Sequence, residues 1–230
     1  MESISMWDFI QFADLGLRKI FIDLPGHGNS KLDDESEIPS IQFMAVKVIE
    51  LASSLKLHRY DVVGHSMGGY IALLLKELDS RCGKVVLLNS NFWEDSEHKK
   101  KDRIRMADLA FKAKDLLVRE AIPGLFYRSE KGNPAMQRLI DEALHMTSEA
   151  IAYASLAMRS REAKRELLFM YPDDIVVVQG ANDPLIPEEV MSQRIQGLTV
   201  SYYILPNVGH MSHIEDPESV ISLFEEMFNV

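Results

Sequence analysis

Cysteine is almost missing from this sequence: Cys82 is alone among 230 residues. No intrachain disulfide can form, the composition suits a reducing compartment, and we expect a cytoplasmic chain in which Cys82 is structural. Long apolar runs are missing as well, so no membrane span is expected, and the first residues lack a basic n-region and a cleavage site. Basic charge is in deficit, with 25 Lys and Arg against 35 Asp and Glu and a net charge of -10 spread along the chain. Without a basic patch, nucleic acid is excluded as a partner class. What is present, 47% hydrophobic and 26% charged residues, fits one globular domain with a substantial core, large enough to carry an insertion.

The most informative stretch is YDVVGHSMGGY, residues 60–70. Ser66 has Gly64 two residues before it and Gly68 two after it, the G-x-S-x-G pattern of a sharp strand-to-helix turn. A serine on such a turn has a strained backbone, and side chains at the flanking glycines are expected to collide with the neighbouring strand or helix. The hydroxyl then stands clear of the sheet, and the N–H of Met67 heads a helix where it can face an oxyanion. The pattern arises by chance in roughly one chain in fifteen of this length, so it needs its context. That context is a buried strand in Asp61-Val62-Val63 and an apolar helix from Tyr70 to Leu78.

Taken in order, the chain predicts an amphipathic helix from Ser5 to Leu15 closed by Gly16, a strand at Lys19–Leu24, and a polar, exposed turn at Pro25-Gly26-His27-Gly28. His27, between two glycines, reads as a turn residue in preference to a base. A second helix runs from Ser40 to Leu57, and KVVLL at 84–88 is another apolar strand ended by Asn89-Ser90-Asn91. From Phe92 to about Met170 no strand is evident. We read this stretch as a helical insertion broken at Pro123-Gly124 and Gly132-Asn133-Pro134, with Lys99-Lys100-Lys101 on a solvated face among acidic neighbours. Some of its apolar residues should line a pocket if it caps the serine. Strands return at 174–179 and 200–205, separated by a helix from Pro187 to about Gln196, and a last helix ends near Phe228. Apolar strands alternating with helices argue for an α/β fold, a mostly parallel sheet with helices on both faces. Core residues are assigned to 1–91 and 171–230, and the cap to 92–170.

Ser66, Asp183 and His210 each stand just beyond the carboxyl end of a strand, where ligand sites gather in such sheets. A serine hydroxyl needs a base within hydrogen-bond reach and a carboxylate to fix that base's tautomer; His210 and Asp183 fill those roles. His213, His65, Asp173 and Asp174 are the weaker substitutes, since His213 is assigned to the last helix and Asp173 precedes its strand. In this order, and with FIDLPGHGNS, VVGHSMGGYIALLL, VVVQGANDPLIP and LPNVGHMSHIEDPESV spaced along nearly the whole chain, the sequence resembles the α/β-hydrolase family. The resemblance implies Ser66 as nucleophile, Asp183 as acid, His210 as base, Met67 N–H as an oxyanion donor, residues 92–170 as the lid, and neither cofactor nor metal.

Family members carry further N-terminal strands, the third ending in a His-Gly loop that supplies the second oxyanion donor, and nothing here matches them. The third strand would lie between Lys19–Leu24 and Tyr60–Val63, so its loss leaves donors and acceptors in the core to be re-paired. One expectation is that Met1 is an internal methionine and that the natural product has a few tens more residues upstream. Three functions follow: a serine hydrolase of small or medium carboxylic esters; a lyase or thioester hydrolase of the kind found in menaquinone and biotin pathways; or a degenerate member that binds a small ligand without turnover. The partner in each case is a small molecule.

Overall fold

In a computed structural model that describes residues 1–10, 16–32, 38–128 and 133–228, four strands pair in chain order, all parallel: β1 (Tyr60–His65), β2 (Cys82–Leu88), β3 (Ile175–Gly180) and β4 (Ser201–Leu205). The apolar runs of the two central strands, β2 and β3, are explained by burial on both faces. Val85, Leu87, Ile175 and Val177 join one hydrophobic core, and the alternate residues Val86, Leu88, Val176 and Val178 join another. The first core is covered by α1 (Ile41–Ser54) and α2 (Met67–Leu78). Ser40 caps α1 by accepting from the Phe43 N–H at 3.2 Å, which fixes the start that the sequence placed at Ser40.

Between β2 and β3 the chain makes α3 (Glu97–Lys112), α4 (Lys114–Ala121), α5 (Pro134–His145), α6 (Ser148–Arg159) and α7 (Arg165–Met170). Leu139, Ala143, Ala110, Val118 and Ile151 form a separate core for the first four of these helices, and Met211 from the far end of the chain packs into it. No strand occurs in this stretch among the described residues. After β3 come α8 (Glu188–Ile195), β4, the short α9 (Ser212–Glu215) and α10 (Pro217–Phe228), whose Val220, Phe224 and Met227 cover the second face of the sheet.

Two N-terminal expectations need correction. The predicted Ser5–Leu15 helix is a short 3₁₀ helix at Ile4–Phe9, with residues 11–15 outside the described residues. The predicted strand at Lys19–Leu24 does not form. A strand exists only through its neighbours, and among the described residues β1 pairs with β2 alone. Residues 17–24 and 59–65 instead line a common cavity of about 1090 Å³. Ile20, Phe21 and Ile22 therefore stay about 40% exposed (37%, 43% and 37%). The β-propensity of these residues is real, but among the described residues no strand of the sheet pairs with them.

Candidate active site

The turn at Ser66 is as tight as its glycines suggest, though not at both of them. Ser66 has φ 51° and ψ -116°, a sparsely populated positive-φ conformation that costs a residue with a side chain on the order of 1–3 kcal/mol. Its N–H donates to Leu88 O at 3.0 Å, and its carbonyl accepts from Ser90 Oγ at 2.6 Å. These bonds tie the turn to the end of β2 and hold the strained backbone. A Cβ at Gly64 would lie 2.3 Å from Gly68 O, so no side chain fits there. A Cβ at Gly68 would have nothing within 4 Å, whereas one at Gly69 would meet Ser90 Oγ at 2.2 Å. The second crowded glycine is Gly69, because that face of α2 packs against the residue that anchors the turn.

The structure brings the three predicted side chains together although they are far apart in sequence. His210 Nε2 is 2.9 Å from Ser66 Oγ, and His210 Nδ1 is 2.7 Å from Asp183 Oδ2. A carboxylate only accepts, so Nδ1 carries the proton and Nε2 is left as the acceptor for the serine hydroxyl. The backbone of His210 is fixed by donation to Leu125 O at 2.8 Å. Asp183 is buried; its Oδ1 accepts from the N–H groups of Leu185 (2.8 Å) and Ile186 (3.0 Å), and its Oδ2 also accepts from Asn89 Nδ2 at 3.0 Å. Burial pushes this carboxyl up, but the bonds from His210, Asn89 and Leu185 outweigh it and hold the group below its ordinary value.

Asn89 carries no such signal in the sequence, where it reads only as the end of a strand. It is fully buried with φ 46°, and it joins three loops. Its Nδ2 reaches Asp183 and Gly209 O (2.9 Å), and its Oδ1 accepts from Ser212 Oγ. An asparagine tolerates the left-handed region and carries donor and acceptor on one short side chain, which is the combination needed here.

The weaker candidates for these roles lie elsewhere. His65 Nε2 donates to the His210 carbonyl at 2.8 Å, so it supports His210 from behind. Burial, reinforced by His210, pulls its pKa down to about 4. His213 sits in α9 and not in the last helix; it is buried between Trp7 and His65, with ring centroids 4.8 and 4.7 Å away, and neither nitrogen has a hydrogen-bond partner among the described residues. His27 is buried, contrary to the exposed turn expected, with Nδ1 3.2 Å from Pro25 O and its pKa pulled down to about 4, first by burial. Asp174 pairs with Lys76 Nζ at 2.7 Å before β3 begins, at the opposite end of the sheet.

Ser66 and His210 open into the 1090 Å³ cavity, whose wall includes Tyr70, Met106, Ile151, Met158 and Leu185. Met67 heads α2, so its N–H has no intrahelical acceptor. Among the described residues no group of three or more His, Cys, Asp or Glu is arranged to hold a metal ion, and no helix is long and apolar enough to cross a membrane.

Comparison with known proteins gives a consistent fold. Residues 3–223 match the alpha/beta hydrolase family. A thermophilic esterase from Thermogutta terrifontis, solved with malate bound, superposes with a TM-score of 0.86 at 25% identity, covering 99% of this chain and 86% of that one. The 3-oxoadipate enol-lactonase 1 of Acinetobacter baylyi is 25% identical over 214 residues, 90% of this chain and 77% of the relative. The dihydrolipoyllysine-residue acetyltransferase component of the acetoin cleaving system of Pseudomonas putida is 27% identical over 224 residues. The match takes in 88% of this chain but only 54% of that relative's length.

Proposed function

Because the chain belongs to the α/β-hydrolase family, we propose that it hydrolyses small or medium carboxylic esters, with Ser66 as nucleophile, His210 as base, Asp183 as the acid that orients it, and Met67 N–H as an oxyanion donor. The observation that carries this reading is the unbroken path Ser66 Oγ, His210 Nε2, His210 Nδ1, Asp183 Oδ2, at 2.9 and 2.7 Å. In the first half-reaction Ser66 Oγ bonds to the ester carbonyl carbon as its proton passes to Nε2, and the developing oxyanion faces the start of α2. Collapse breaks the bond to the alcohol oxygen, which leaves with that proton. Water, deprotonated by the same Nε2, then releases the acid and restores Ser66. No cofactor takes part in these steps. Residues 92–170 act as the cap, with Met106, Ile151 and Met158 among the residues it contributes to the cavity wall.

The enol-lactonase relative is in keeping with this reading, since a lactone is an internal ester. A second reading, ligand binding without turnover, is favoured by the cavity beside β1, where none of the described residues forms the neighbouring strand or its His-Gly loop. Loss of one oxyanion donor costs on the order of 10²–10³ in turnover. Labelling with a fluorophosphonate, read by intact mass, separates the two. One adduct on the wild type and none on Ser66→Ala supports the hydrolase; no adduct on the folded wild type favours the binding protein.

A further inference from the structure

The cavity wall carries a charge cluster that ester hydrolysis leaves unused. Asp95, with no side-chain exposure, accepts from Arg161 Nη2 at 2.7 Å and from Arg103 Nε at 3.0 Å. Arg161 is committed throughout: Nε donates to Trp93 O (3.3 Å), Nη1 to Met158 O (2.9 Å), and the guanidinium lies 4.3 Å from the centroid of the Tyr70 ring. One carboxylate therefore serves two guanidinium groups, and a positive charge remains. It resides on Arg103, whose Nη1 and Nη2 have no partner among the described residues and whose side chain, 26% exposed, lines the cavity that contains Ser66.

The other charged groups on this part of the wall do not cancel it. Asp102 is paired with Arg105 and His98, Lys99 adds positive charge with Nζ 3.3 Å from Leu185 O, and Glu120 is solvent-exposed, where water and salt screen it. Arg103 and Ser66 line the same cavity.

We propose that Arg103 is a specificity-determining residue, and that the preferred substrate is an ester bearing a carboxylate remote from the scissile carbonyl, held by Nη1 and Nη2 together. A planar guanidinium with two parallel free donors matches a carboxylate bidentately, and Asp95 fixes the fork in place from its Nε side. This assignment rests on the hydrolase reading and adds the substrate class to it.

The test compares two matched pairs: p-nitrophenyl hemiglutarate with p-nitrophenyl pentanoate for a carboxylate on the acyl side, and 4-carboxyphenyl butyrate with phenyl butyrate for one on the alcohol side. In the wild type the anionic member of one pair is favoured in kcat/KM by about 10–100-fold, the range of a charge-assisted bond inside a protein. Arg103→Gln brings that ratio close to one, chiefly by raising KM for the anionic ester, and Arg103→Lys restores part of it. Parity within both pairs in the wild type, or an unchanged ratio in Arg103→Gln, overturns the proposal. If Ser66 takes no fluorophosphonate label, the hydrolase reading fails separately. The anion site is then read by glutarate against glutaramide in thermal unfolding: stabilisation by glutarate that is lost in Arg103→Gln supports the site, and no selective stabilisation of the wild type overturns it.

Discussion

Replacing Asn89 with alanine removes one side chain from the junction of three loops, and the consequence can be worked out bond by bond. The bond from Nδ2 to the Asp183 carboxylate (3.0 Å) is charge-assisted and contributes about 1.5–3 kcal/mol. The bonds to Gly209 O and from Ser212 Oγ are neutral and contribute about 0.5–1.5 kcal/mol each. Alanine must also adopt φ 46°, which adds on the order of 1 kcal/mol. A water entering the vacated space recovers part of the loss, so Asn89→Ala is expected to destabilise by about 3–5 kcal/mol at neutral pH. Asn89→Gly removes the same bonds without the backbone penalty and should be milder than alanine by about 1 kcal/mol. The effect also depends on pH. Asp183 has a depressed carboxyl pKa, so its stabilising contribution is present above the unfolded value and is lost as pH falls through the folded one. Asn89→Ala raises the folded value, and the gap between wild type and variant narrows through the carboxylate range. Urea unfolding at a series of pH values measures both quantities. A loss below about 1 kcal/mol at pH 7, or a gap that widens on acidification, would refute the role given to Asn89.

Asp183→Asn keeps the shape of the site but can donate to Nδ1 and stabilise the wrong tautomer; ester turnover should fall by about 10⁴-fold with little change in KM, measured in steady-state assays. Gly69→Ala, whose Cβ would lie 2.2 Å from Ser90 Oγ, should lower stability and displace the anchor of the Ser66 turn. Gly68→Ala, with open space around it, should fold with near wild-type stability, and equal denaturation midpoints for the two variants would contradict this. Acidification should destabilise the wild type through its buried histidines. His27 and His65 have folded pKa values of about 4 and that of His213 is lowered well below the ordinary value, so below the unfolded value near 6.5 the unfolded chain binds more protons. The urea midpoint should fall between about pH 6.5 and 4, and a flat profile there would be inconsistent with neutral buried histidines.

Much of this organisation is legible in the sequence because its signals are local. Apolar runs bounded by turn residues locate β1 to β4, and polar residues just beyond β1, β3 and β4 locate Ser66, Asp183 and His210, since a parallel sheet gathers strand ends at one edge. What the sequence conceals is nonlocal. KIFIDL at 19–24 has every local mark of a strand, and pairing is decided by what lies beside it. Asn89 looks like loop punctuation, and only the approach of Gly209 and Ser212 turns it into a structural centre. His65 and His213 are separated by nearly 150 positions yet their rings pack 4.7 Å apart, and no periodicity in either segment records that contact. The glycine at 68 fits the motif while the crowding falls on Gly69, because the motif describes the turn and not the neighbour that packs on it.

The hydrolysis proposed for Ser66 passes through a covalent acyl-enzyme, so the most direct measurement is to trap that intermediate. p-Nitrophenyl butyrate mixed with the chain and quenched in acid during the first turnover should leave one butyryl group on the peptide that contains Ser66. The adduct should be absent from Ser66→Ala and should build up more slowly in Asp183→Asn. Turnover of the ester with no acyl group ever found on Ser66, or an undiminished rate in Ser66→Ala, would contradict nucleophilic catalysis by this serine.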